Sequence, residues 1–163
     1  MKVSKKALRA ALAAKGVGEE AIEAIIACLL EPTPDQTFDF GSGPVPAHQH
    51  TNPDGTVGGW VADTATVAPT AFIGPNARVY GFALVFGTAQ VFDAAQVYGD
   101  ARVFGTARVF GTAQVFDTAQ VYGFALVFGT ALIHGNARVS GNTWVYDNVR
   151  VYDAAQVSEG EHE

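Results

Sequence analysis

An aliphatic residue returns every six positions over most of this chain. The series runs Val61, Val67, Ile73, Val79, Val85 and onward, with neither insertion nor gap, through Val145, Val151 and Val157. Alanine stands two positions before most of these, as at Ala65, Ala71, Ala77, Ala83 and Ala89, so the unit reads A-x-V-(F/Y)-(G/D)-(T/N). A period of six matches neither one helix, at 3.6, nor one long strand, at 2. A short strand closed by a tight corner does match it. In A-x-V-(F/Y), strand alternation sends alanine and valine to one side and x and the aromatic residue to the other. Gly or Asp followed by Thr or Asn then supplies the corner, because Gly tolerates unusual dihedrals and Asp, Asn and Thr can bond back to their own backbone. Pro69 and Pro75 fall at that corner too, where no ladder donor is needed.

Stacked coils of this unit predict an all-β solenoid over residues 61–158, with a dry column of Val and Ile inside and each backbone paired to the coils above and below. Hexads such as IGPNAR, IHGNAR and VSGNTW resemble the hexapeptide-repeat, left-handed parallel β-helix family, in its bacterial and phage forms. The resemblance implies three hexads per triangular coil, a left-handed wind and five to six coils, about 25 Å long at ~4.8 Å per coil. One departure stands out. Many members carry a small or acidic residue directly after the aliphatic one, where this chain has Phe or Tyr.

On a three-sided coil, residues eighteen apart share a face. Tyr80, Tyr98, Phe116 and Tyr152 then form one outward row and Phe86, Phe104 and Tyr122 a second. The third side is the most apolar, with Phe92, Phe110, Phe128 and Tyr146 in one row. Phe72, Leu126 and Trp144 lie in the adjacent row, broken by Gln90 and Arg108. Such a surface exceeds the few hundred Å² that a soluble monomer exposes without a reason, so it is expected to be an interface. The expected partner is another copy, in a homo-oligomer, trimer or filament. A second role for the rows is stacking between coils, with Arg78, Arg102, Arg108, Arg138 and Arg150 lying over the rings.

Outside the repeat, Ser4 to Lys15 and Glu19 to Glu31 read as two short helices separated by Gly16, a hairpin over residues 1–31. About thirty residues cannot form their own core, so this pair is expected to dock on the solenoid, on its copies or on another protein. Cys28 lies in its apolar run and reads as a buried structural thiol. Residues 32–60, rich in Pro, Gly, Asp and Asn, read as an ordered linker and amino-terminal cap, and residues 159–163 as an acidic tail. A net charge of -6, with every Lys within the first fifteen positions, argues against nucleic acid. With no signal-peptide core and no apolar run of membrane-spanning length, the expected location is the cytoplasm or a particle assembled there.

The resembled family includes acyltransferases and γ-class carbonic anhydrases, and both chemistries need histidine. Within the solenoid there is one, His134, at an outward aromatic position and with no loop thrown out beside it. It is the weak candidate for a catalytic base. His48 and His50, with Asp54 as a third ligand, are the weak candidates for a metal, against a simple exposed loop. No cofactor is expected. Thr88, Thr106, Thr112, Thr118 and Thr130 sit at corners, without the T-x-T ranks that ice binding would use.

The copying of hexads also weighs against a tailored catalytic site. VYGFALVFGTA at 79–89 recurs at 121–131, seven hexads on, and VFDAAQVYG at 91–99 recurs as VFDTAQVYG at 115–123, four hexads on. Neither shift is a multiple of three, so each copy lands on a different face. The leading expectation is a structural or assembly protein, a self-associating scaffold; the alternative is an acyltransferase acting at a trimer subunit interface.

Overall fold

The structure, a computed structural model, describes residues 36–159 and 161–162, together with 10, 13–16, 18 and 20–22. The chain divides into two units, Met1–Gln36 and Thr37–Glu163. In the first, the described residues show helical backbone at Ala10, Ala13 and Glu20–Ile22. Gly16 has φ 75, the left-handed conformation with which helices commonly end. The remainder of the expected helical pair, Cys28 included, lies outside the described residues. No helix among the described residues is long and apolar enough to cross a membrane.

In the second unit the six-residue period becomes a two-residue strand and a four-residue corner, repeated from Thr66–Val67 to Gln156–Val157. Every third strand stacks in parallel register. Arg102 pairs with Leu84 and Gln120, and Val103 with Val85 and Val121. Three parallel sheets result over about five turns, one of them extended to eight strands and the others of six. Rungs are joined by main-chain bonds such as Arg102 N to Ala119 O, 2.9 Å, and Phe104 N to Val121 O, 3.0 Å. The repeat therefore satisfies most of its backbone groups between coils, while corner bonds such as Ala77 N to Gly74 O, 3.0 Å, stay within a coil.

The core is the Val/Ile and Ala column itself, fully buried from Val79 to Val145. Thr143, in the place of an alanine, is buried as well, and its hydroxyl donates to the Ser140 carbonyl at 2.7 Å. From Gly81 to Asp153 the corners carry a left-handed residue in the Gly/Asp position, whereas the earlier corners at Asp63, Pro69 and Pro75 do not. Gly105 has φ 72, and a Cβ there would meet Gly123 N at 3.1 Å. Where Asp takes that position, as Asp117 at φ 57, its carboxylate accepts the next coil's amide, Gly135 N, at 3.0 Å. This bond offsets the roughly 1–2 kcal/mol that a left-handed L-residue costs. The corner threonines do not bond back to their own turn. Thr106 Oγ1 donates to Gly123 O and Thr118 Oγ1 to Gly135 O, both at 2.8 Å, so the hydroxyls tie each coil to the next.

The two ends of the solenoid differ. At the amino end β1 (Thr37–Asp39) pairs antiparallel with β2 (Pro44–Thr51), and β2 pairs antiparallel with β3 (Val57–Ala62). β3 then pairs parallel with Arg78–Val79 and becomes the first rung of its sheet. At the carboxyl end Glu161–His162 adds a strand on Trp144–Val145, seventeen residues on where other rungs lie eighteen apart. The last corner is one residue short.

Candidate functional site

Alternation places x and the aromatic residue of each hexad outside the core, and the eighteen-residue register places like positions over one another. The three outward rows therefore form as stacked rings. Tyr80, Tyr98 and Phe116 follow at 4.8 and 5.0 Å between centroids. Phe86, Phe104 and Tyr122 follow at 4.8 Å. Phe92, Phe110 and Phe128 follow at 4.9 Å, and Tyr146 lies 5.3 Å beyond. Planes within one column depart by no more than 4° between the coils at its centre. Flat stacking at this spacing is imposed by the strand separation, since each ring is one rung above the last.

The rows extend into the amino-terminal strands. Phe40 stacks on Tyr80 at 4.8 Å, and Phe38 stacks on Trp60 at 4.9 Å, with the Arg78 guanidinium 5.3 Å from the Phe38 ring centre. Sequence reasoning missed Phe38 and Phe40, which lie outside the hexad register. Of the five arginines expected to cover rings, only Arg78 does so among the described residues. Stacking leaves Phe92, Phe110, Phe128 and Tyr146 half-buried, and Phe72 and Leu126 likewise, while Trp144 is exposed. Tyr80 and Tyr98 each donate a hydroxyl hydrogen bond to a glutamine one coil on, Gln96 at 3.0 Å and Gln114 at 3.1 Å. Burial within the row pushes both phenols above their ordinary value, with a neighbouring charge, Tyr98 for Tyr80 and Asp117 for Tyr98, adding to it.

His134 is a rung of the first row. Its ring stacks 4.8 Å from Phe116 and 5.6 Å from Tyr152, and its Nδ1 is 3.8 Å from the Asp117 carboxylate. A base for acyl transfer must point at a bound hydroxyl or thiol; this imidazole lies flat between two rings.

The H-x-H pair also has structural partners. His48 Nδ1 is 2.8 Å from Asp63 Oδ1. His50 is buried, with Nε2 3.1 Å from the Ala71 carbonyl. Asp54 is bound into its own turn, accepting from Thr56 N and Thr56 Oγ1, and these bonds hold its carboxyl below the usual range. The three expected ligands are thus not brought together, and no group of His, Cys, Asp and Glu among the described residues has the arrangement of a metal site.

The role of this segment is legible from Asn52, which is buried. Its Oδ1 accepts from Ile73 N at 2.8 Å and its Nδ2 donates to Ile73 O at 3.1 Å. Phe72–Ile73 is the outermost strand of its sheet, with no coil before it. The amide of Asn52 occupies the place of that missing rung, and the imidazole of His50 serves the adjacent carbonyl. Side chains here stand in for main chain. A cleft of about 400 Å³ lies elsewhere at this end, with Phe40, Val45, Pro46, Ala62 and Tyr80 as apolar walls and Asp63 in its lining.

The family described as YdcK beta solenoid repeat matches residues 95–111 and 144–159. Both stretches lie within the stacked coils, and together with the parallel three-sheet architecture they fit a hexapeptide-repeat-like β-helix family. No curated protein and no solved structure matches the chain.

Proposed function

We propose that this solenoid is a structural or assembly protein, a left-handed β-helical scaffold that associates with its own copies through its outward aromatic rows. One observation carries the reading: three columns of stacked rings, partly open to solvent, run along the outside of the same solenoid. Stacking shields the faces of the rings and leaves their edges to solvent. A second solid surface laid against such a row removes the remaining apolar area without rearranging either side. The proposed contact surface is the side that carries Phe72, Phe92, Phe110, Leu126, Phe128, Trp144 and Tyr146.

On this reading the amino-terminal helical pair is the attachment or oligomerisation element, able to take another protein as partner, and the assembly is cytoplasmic or part of a particle assembled there. The acyltransferase alternative draws no support from the geometry, since His134 is stacked as a rung. Electron microscopy of the purified full chain tests the proposal. Trimers, rods or filaments are expected; a field of single 17.1 kDa particles contradicts it.

A further inference from the structure

The fold assigns a reason to nearly every outward residue, and two phenylalanines stand outside that assignment. Phe82 and Phe124 occupy the corner position that elsewhere holds Thr, Asn, Asp or Ala. A threonine there, such as Thr88 or Thr106, ties its coil to the next by donating to a glycine carbonyl. Phe82 and Phe124 forgo that bond. Neither ring stacks on another among the described residues, and they are 66% and 68% exposed, more than any other large apolar residue described. Placing Phe at these corners gives up a hydrogen bond and wets an aromatic ring, and the fold of the solenoid gains nothing in return.

Both rings sit in copies of one segment. In Gly81-Phe82-Ala83-Leu84-Val85-Phe86 and Gly123-Phe124-Ala125-Leu126-Val127-Phe128 the alanines and valines are buried, leaving Phe-Leu-Phe outside. Seven hexads separate the copies, which is two coils and one face. The second triad is therefore turned by one side of the triangle and raised by about 11 Å at ~4.8 Å per coil. Each triad also has a cation beside it. Leu84 is paired in register with Arg102 and Leu126 with Arg108, both exposed and neither in an ion pair among the described residues.

We infer that the two Phe-Leu-Phe triads are twin self-adhesive patches, each of which docks on a triad of a second copy of this chain. This rests on the self-association reading and names its surface and valency. A patch holding aromatic rings and a guanidinium is complementary to itself: related by a two-fold axis, the leucines meet and each arginine faces the partner's rings. The triads are continuous with the stacked rows, as Phe86 is the first ring of one row and Phe128 stacks within another. Each triad exposes roughly 250 Å² of apolar side chain, taking about 200 Å² per phenylalanine. Two triads alone fall short of the ~1,600 Å² of a standard interface, so the flanking flat faces must also meet, and single contacts are weak. Valency then decides the outcome. One self-complementary patch closes a dimer; two patches on different faces build an open chain.

The test uses the full chain with Phe82→Ser, Phe124→Ser and the double variant, followed by light scattering coupled to size exclusion at tens of micromolar. Each single variant is expected to stop growth at a dimer and the double variant to run as a monomer. All three should keep the circular dichroism and melting temperature of the parent, because neither ring supports the fold. If the double variant assembles as the parent does, the inference is overturned. If the parent assembles and a folded Phe110→Ser variant disrupts it while the triad variants do not, self-association stands and the triads are wrong. A parent that stays monomeric overturns both.

Discussion

Replacing Asn52 by alanine removes the side chain that closes the first coil. Asn52 is 3% exposed and bonds both the N–H and the C=O of Ile73, at 2.8 and 3.1 Å. No strand lies outside Ile73 to take over, and Gly58 packs so closely that a Cβ there would sit 2.4 Å from the Ile73 oxygen. Alanine therefore leaves one donor and one acceptor unpaired at a buried edge. Each such group costs about 1–3 kcal/mol, so the expected loss is about 2–4 kcal/mol, allowing for some entry of water. Thr56→Ala is the control. It removes a partner of the same amide, at 3.1 Å, together with the exposed hydroxyl bond to Asp54, and leaves both Ile73 bonds in place, so it should cost about 1 kcal/mol. Urea unfolding gives the global figure, and hydrogen exchange at the Ile73 amide gives the local one, which matters because repeat proteins can fray from an end. If Asn52→Ala unfolds within about 0.5 kcal/mol of the parent and the Ile73 amide keeps its protection, the edge-capping account is wrong.

Three further outcomes follow from the geometry. Gly59→Ala places a Cβ 2.1 Å from the Ala77 oxygen and 2.5 Å from that of Gly74, and should destabilise by about 3 kcal/mol or more. Gly55→Ala, at φ 82 in open space, should lose only about 1–2 kcal/mol, so thermal melts of the pair separate crowding from dihedral strain. Val109→Ala, in the fully buried column, should cost about 2–3 kcal/mol by urea unfolding, with a value near zero refuting the dry core. Tyr80 and Tyr98 are held protonated beyond their ordinary pKa near 10. Their contribution is complete below that pH and is lost as pH rises through the higher folded values. An absorbance titration should find two phenols ionising late and stability falling over the same range.

Much of this was legible because the hexad is both the sequence period and the structural unit. The spacing from Val61 to Val157 fixed which residues face inward, and the three hexads per coil implied by the family resemblance placed Phe92, Phe110 and Phe128 in one column. The side-chain bonding within the amino-terminal segment was not legible. His48 and His50 look like ligands, because two histidines at alternate positions share a face on a regular strand. The register shift between Gln49 and Thr51 breaks that alternation, leaving His48 exposed and His50 buried. Asn52 had no signal at all, since a buried amide that replaces a rung looks like any turn-forming asparagine. Thr106 and Thr118 were misread in direction, because propensity reports that a hydroxyl suits a corner and not which carbonyl it reaches. Phe82 and Phe124 could have been found: aromatic residues in the Thr/Asn position are visible in the aligned hexads.

The claim that the outward aromatic rows serve self-association is tested most directly by sedimentation equilibrium of the full chain across the micromolar range. The account predicts an average mass that rises with concentration above the 17.1 kDa of one chain. A mass that stays at one chain throughout contradicts it.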